Sequence, residues 1–298
     1  MYEDPEGFEY DYPLWRPPSE GDNLIIQATL GCSWNRCRFC SMYRSKRFLA
    51  RPQADVFAEI DAWGKSWPDA RRIFLADGDA LALPFDHLMK ILEKLAATFP
   101  GLNRVSCYAL PGNLLRKTVE ELAALKSGRL SLFYVGIESG SPEILKRIAK
   151  GVTQRQMIEA LGKPGQAGIK VSATLVLGLG GQAKWQEHID GSIEVVNAAP
   201  PEFLSTLQLG VAQEVAGDLA HAWPEGFAFQ DDLGMLAEQE RLIEGLAPKR
   251  PIIFRSNHAS NALALAGNLP KDKERLLSQL SEAREGLRPL RARFLRGL

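Results

Sequence analysis

The sequence carries no surplus of either charge: Lys and Arg number 36, and Asp and Glu 36, among 298 residues. No global field then draws the chain toward nucleic acid or an anionic membrane surface, and neither is expected as a partner. Any apolar run long enough to span a bilayer is also missing. The acidic opening from Met1 to Glu6 has none of the basic and apolar regions of a secretory signal. Cysteine is scarce, with four residues, and three of them fall between positions 32 and 40. That distribution argues against a disulfide framework and for a reducing, cytoplasmic setting.

What remains is ordinary in bulk, 45% hydrophobic and 24% charged, and long enough for one large or two small domains. After an aromatic- and proline-rich arm (1–19), short apolar runs alternate with amphipathic stretches. The runs at 23–29, 72–76, 104–109, 130–137, 170–177 and 203–210 read as strands. Between them, Val56, Ile60 and Trp63, then Leu88, Ile91, Leu92 and Leu95, recur at helical spacing. Strands that are continuously apolar are buried on both faces, so the expected class is α/β with parallel strands and helices outside. Periodicity leaves open whether they form a doubly wound sheet or a curved, incomplete barrel. In both, polar residues at the C-terminal strand ends are the site candidates. The core is expected over 20–212. The extension over 213–298 reads as mainly helical, with a helix over 239–246 and a final basic helix from Lys271.

Cys32, Cys37 and Cys40 place three soft thiolates on one short loop after the first strand, enough for three corners of a [4Fe–4S] cluster. With no fourth cysteine nearby, one iron stays open to something other than protein, which means chemistry rather than electron transfer alone. A purely structural role and a zinc site are the plainer readings. Zinc in a structural site wants four protein ligands, and no histidine stands close to supply one. The serious competitor is a plant-type [2Fe–2S] electron carrier, whose spacing also begins Cys-x4-Cys-x2-Cys, with Cys107 as fourth ligand. Cys107 otherwise reads as a buried core residue.

The loop, with Gly31, Cys32, Ser33, Asn35, Cys37, Phe39, Cys40, Met42 and Tyr43, resembles the radical S-adenosylmethionine (radical SAM) superfamily. Four residues separate Cys32 and Cys37 where three are usual, as in a poorly characterised subgroup. The resemblance continues in Asp77, Gly78 and Asp79 after strand two, in Gly136 to Ser141 after strand four, and in Leu177 to Gly181 after strand five. It implies a partial (β/α)6 TIM-like barrel with a mainly helical C-terminal extension covering it. It implies an enzyme whose [4Fe–4S] cluster, on Cys32, Cys37 and Cys40, cleaves SAM reductively to a 5′-deoxyadenosyl radical that abstracts hydrogen from a substrate. Asp77, Gly78 and Asp79 would meet the methionine amino group, Glu138 and Ser139 the ribose and carboxylate, and Gly178, Gly180 and Gly181 the adenine. A low-potential reductant such as flavodoxin or ferredoxin is the implied partner. With no second cysteine cluster and no evident cobalamin domain, rearrangement or oxidation is expected ahead of sulfur insertion or cobalamin-dependent methylation.

The polar stretch from Arg255 to Asn261 reads either as a turn or as a substrate site with His258 in acid–base work. His87, His188 and His221 read as surface residues. Tyr108 and Asn113 lie near a strand end, where the pocket and an ordinary turn are both open readings. Arg44, Lys46 and Arg47 read as solvated charges or as a contact for an anionic substrate or the reductant. The basic face of the last helix (Arg284, Arg288, Arg291, Arg293, Arg296) reads as a solvated packing helix, with docking of an acidic reductant as the lesser role.

Overall fold

A computed structural model describes residue 5 and residues 9–297. The expected N-terminal arm therefore lies partly outside the described residues. The chain divides into two compact units, one built from residues 1–35, 42–135 and 163–170, the other from 36–41, 136–162 and 171–298.

In the first unit, β1 (Leu24–Gln27), β2 (Arg72–Ala76), β3 (Arg104–Tyr108) and β4 (Leu130–Glu138, whose last residues belong to the second unit) pair in parallel in that order. All of β1 is buried, as are Ile73 to Ala76 in β2, which is the burial of strands covered on both faces. Helix α1 (Gln53–Ser66) buries Val56, Ile60 and Trp63; α2 (Phe85–Thr98) buries Leu88, Ile91, Leu92 and Leu95. Helix α3 (Pro111–Arg116) starts on a proline, and α4 (Val119–Ser127) on a capping box of Thr118 with Glu121. The described part of the arm is fastened down: Tyr10 donates its hydroxyl to Ile25 O at 2.9 Å, and Asp11 exchanges hydrogen bonds with the Gln27 side chain.

In the second unit, β5 (Lys170–Leu177), β6 (Phe203–Gln208) and β7 (Ile252–Ser256) are parallel neighbours, and β8 (Leu265–Leu269) pairs antiparallel with β7. Around them run α5 (Pro142–Arg147), α6 (Gln154–Gln166), α7 (Gly181–Ala198), α8 (Gln213–His221), α9 (Asp232–Gly245) and α10 (Lys273–Arg284). The class is α/β with mainly parallel strands, and the six expected strands stand within two residues of their expected bounds.

Two expectations need correction. The extension contributes strands as well as helices, because Ile252 and Phe254 are fully buried beside β6. The final basic helix stops at Arg284: Gly286 takes a left-handed backbone (φ 77°) and Pro289 cannot continue a helix. Beyond it Arg291 donates to His258 O at 3.0 Å and Ala259 O at 2.8 Å, and Arg296 pairs with Asp232 at 2.7 Å. These two arginines are fasteners, not a docking face. No helix among the described residues is long and apolar enough to cross a membrane.

The residues after β4 press backbone to backbone on α7. A Cβ on Gly140 would lie 2.0 Å from Gly191 O, and one on Gly191 2.6 Å from Ser141 N. Replacing Gly191→Ala is therefore expected to lower the unfolding free energy by about 1–3 kcal/mol, measured as a fall in the urea midpoint at unchanged slope.

Candidate functional site

Residues 31–48 form no helix or strand of their own. The loop's base is a ribbon in which Thr29–Leu30 pairs antiparallel with Leu49–Ala50. Gly31 needs a left-handed backbone (φ 67°), and a Cβ there would crowd Lys46 Cβ and Arg47 O, each at 3.2 Å. Asn35 donates its amide to Tyr43 O at 2.7 Å and Lys46 O at 3.1 Å, tying one side of the loop to the other. At the end of β2, Asp77 is fully buried; its Oδ2 accepts from Gly31 N–H at 3.0 Å and from the Lys46 ammonium at 2.8 Å. Burial raises the Asp77 carboxyl above its usual range, with Lys46 pulling it back. Lys46, expected to be solvated, is itself buried. Gly78 could carry no side chain, since its Cβ would fall 2.6 Å from the Tyr43 ring and 3.1 Å from Cys32 Cβ. Burial, then the Asp77 charge, pushes the Tyr43 phenol up.

Asp79 is also fully buried, with Ser33 and Asn113 donating to its Oδ2. Its Oδ1 is buried without a hydrogen-bond partner. Burial pushes this carboxyl up to about 6. Asn113, open between pocket and turn on sequence, thus serves Asp79. Cys107 is completely buried in β3, and burial lifts its thiol well above the usual value, with the Asp79 charge adding to the effect. A thiol held protonated is a poor iron ligand. Cys32, Cys37 and Cys40 differ: they are half-buried free thiols.

In the second unit, Arg38 N–H donates to Ile148 O at 2.9 Å and its guanidinium to Arg147 O at 3.1 Å, fixing the middle of the cysteine loop to the end of α5. Two residues on, buried Lys150 reaches Glu138 at 3.0 Å. Burial alone would lower the Lys150 pKa, but Glu138, Cys37 and Cys40 outweigh it and the net shift is upward. Glu138 sits in the left-handed region at φ 64°, unusual for a residue with a side chain, with this ion pair at its carboxylate. Sequence reasoning missed Lys150, which lies twelve residues past Glu138 with only chain folding to connect them.

Ser139 is fully buried and committed elsewhere. His188 Nε2 faces Val176 O at 3.0 Å and must carry the proton, so Nδ1 accepts from the Ser139 hydroxyl at 2.8 Å, while Ser139 Oγ accepts from Ser141 N–H at 3.2 Å. His188 is therefore no surface residue; burial lowers its pKa to about 4 and keeps it neutral. At the end of β5, Gly178 and Gly181 adopt left-handed backbones (φ 88° and 56°), and the protein's own atoms fill the space beside them. A Cβ on Gly178 would meet Met235 at 2.5 Å, one on Gly180 the Lys184 carbonyl at 2.6 Å, and one on Gly181 the Ala228 carbonyl at 2.9 Å. Glu238, pushed up to about 7 by burial, accepts Gly178 N–H at 2.7 Å. His258 accepts Ser260 N–H on Nδ1 at 3.1 Å, and Asn261 ties the same turn to Thr206 O and to Gln208 N–H. Burial, then Arg291, lowers the His258 pKa.

The family model for the radical SAM superfamily matches residues 26–190, more than half of the chain. The chain belongs to the radical SAM superfamily. Among curated relatives of this radical SAM protein, a Methanocaldococcus jannaschii protein provisionally named a methylthiotransferase is 29% identical over 166 residues, 53% of this chain and 35% of that one. An uncharacterised methyltransferase of Pyrococcus horikoshii is 26% identical over 176 residues, 57% of this chain and 36% of that one. The chain thus spans about a third of the length of these relatives. In fold it is similar to coproporphyrinogen III oxidase from Escherichia coli, a radical SAM enzyme (TM-score 0.57, 14% identity, 74% of this chain and 52% of that one). It is also similar to methylornithine synthase (TM-score 0.52, 13% identity, 76% and 63%). The fold is the partial TIM-like barrel of the radical SAM enzymes.

The superfamily uses a [4Fe–4S] cluster and SAM, and the residues here fit both. Among the described residues no three His, Cys, Asp or Glu side chains are grouped to hold a single metal ion. A cubane makes a different demand, one thiolate on each of three irons, and three half-buried free thiols on one loop suit it. The partnerless Asp79 Oδ1 suits an ammonium donor such as the SAM amino group. Because Asp79 is raised in the folded chain, the fold binds the extra proton between about pH 4 and 6, and this residue's contribution to stability falls as pH rises through that window. Asp79→Asn should therefore gain stability relative to the parent on going from pH 4 to pH 7, by about 1–3 kcal/mol in urea unfolding of the metal-free protein.

Proposed function

We propose that this chain binds a [4Fe–4S] cluster through Cys32, Cys37 and Cys40 and uses it to cleave SAM, generating a radical that abstracts hydrogen from a substrate. The observation that carries the reading is the set of three half-buried thiols on one loop after β1, inside the matched radical SAM region. When bound, the cluster supplies the electron that splits SAM into methionine and a 5′-deoxyadenosyl radical.

The chain's own residues then have separable tasks. The three thiolates leave one iron free for the SAM amino and carboxylate groups. Within the segment after β2, Asp79 Oδ1 accepts from the methionine ammonium, and Gly78 leaves room for Tyr43 and Cys32 to pack behind it. Glu138 faces the ribose, with Lys150 holding its carboxylate and balancing the charge of Cys37 and Cys40. The turn at Gly178, Gly180 and Gly181 brings backbone to the adenine, and the Glu238 carboxylate sets its shape. Ser139, by contrast, steadies the β4 exit through His188. His258, with Nδ1 taken by Ser260, presents Nε2 for acid–base work on the substrate. Buried apolar strands on both faces keep water from a reactive radical. A low-potential flavodoxin or ferredoxin in the cytoplasm delivers the electron, with Arg44 and Arg47 as the basic residues at the loop.

Anaerobic reconstitution followed by EPR of the reduced protein tests this. A [4Fe–4S] signal that changes on adding SAM, with 5′-deoxyadenosine released, is the expected result, and Cys37→Ala should abolish both signal and product. A [2Fe–2S] signal indifferent to SAM and lost in Cys107→Ser would make the protein an electron carrier instead.

A further inference from the structure

A loop without regular structure takes its shape from side-chain contacts, and here they converge on one carboxylate. Asp77 stands at the end of β2, on the rigid part of the first unit. Its Oδ2 accepts from Gly31 N–H at 3.0 Å, immediately before Cys32, and from Lys46 at 2.8 Å, six residues after Cys40. The backbone supports the same junction: Asp77 N–H donates to Thr29 O at 3.0 Å and Gly78 N–H to Gly31 O at 3.1 Å. Lys46 is held from its other side by Asp11, at 2.8 Å from the carboxylate and 2.6 Å from the backbone carbonyl. Asn35 adds the bond between the limbs, on Tyr43 O and Lys46 O.

Both members of the pair are buried, the side chains 6% and 0% exposed. A buried ion pair adds little stability over an apolar pair of the same size, whereas its demand for both partners fixes position. The Lys46 ammonium also occupies the oxygen that the resemblance would offer to the SAM amino group, which separates Asp77 from Asp79 in role.

We propose that Asp77 and Lys46 form a latch that closes the cysteine loop before any cluster is present, making both positioning residues for the thiolates rather than contacts for SAM. The inference rests on Cys32, Cys37 and Cys40 being the cluster ligands and concerns how the chain prepares them.

The test uses the full-length chain and its variants Asp77→Asn and Lys46→Met. In the metal-free protein, limited trypsin digestion reads the loop directly, since Arg36, Arg38, Arg44 and Arg47 remain in both variants. Cleavage at these sites, relative to cleavage elsewhere and at a temperature where circular dichroism shows all proteins folded, is expected to rise at least tenfold. After anaerobic reconstitution, iron per chain is expected to fall at least twofold in both variants. Parent-like digestion in both variants would overturn the latch. So would parent-like iron in Asp77→Asn combined with weakened SAM binding, which would make Asp77 a SAM contact. If the parent protein itself takes up no cluster while the variants' loops open, the latch stands and the cluster reading falls. Should Asp77→Asn not fold, Lys46→Met and the milder Lys46→Arg decide by the same two measurements.

Discussion

A carboxylate out of reach of water must find a cation or a set of donors, and three such carboxylates organise this protein's chemistry. Asp77 has Lys46 and Gly31, Asp79 has Ser33 and Asn113, and Glu138 has Lys150. Each stands at or just past the C-terminal end of a parallel strand. Leaving any of them unmatched would be costly, so each recruits its partner from a segment far away in sequence. The cysteine loop owes its closure to the first of these matches and its tie to α5 to the backbone around Arg38.

The strands impose the second condition. Because β1 and β2 are apolar on both faces, polar groups have nowhere to gather except beyond the strand ends. Elements packed this tightly leave little space between them, and glycine is used where backbones touch. The contact of Gly140 with Gly191 brings the β4 exit against α7, and the missing Cβ of Gly78 admits Tyr43 and Cys32. The polar bonds from His188 to Ser139 and from Glu238 to Gly178 then hold those exits in place.

The α/β class, the six parallel strands and the three candidate iron ligands were legible in the sequence. Continuous apolar runs such as Arg72 to Ala76 can be satisfied only by burial on both faces, and three thiols within nine residues are neighbours by covalent connection alone. The helical faces of α1 and α2 were legible for the same reason, since Val56, Ile60 and Trp63 meet through local geometry. The strands β7 and β8 were overlooked because five-residue runs carry little periodicity, and the place of Phe254 is decided by β6 beside it.

Local spacing, then, determined what could be read from the sequence by itself: element type, the order of the strands and the clustering of Cys32, Cys37 and Cys40. Tertiary structure alone decided which charges are buried and with whom. Lys46 looks solvated until β2 brings Asp77 to it, His188 looks exposed until α7 turns it toward Val176 and Ser139, and Arg291 and Arg296 look like a helical face until the chain turns at Gly286. The reason is physical: propensity and periodicity act over a few residues, whereas the cost of burying a charge is set by whatever the whole fold places next to it.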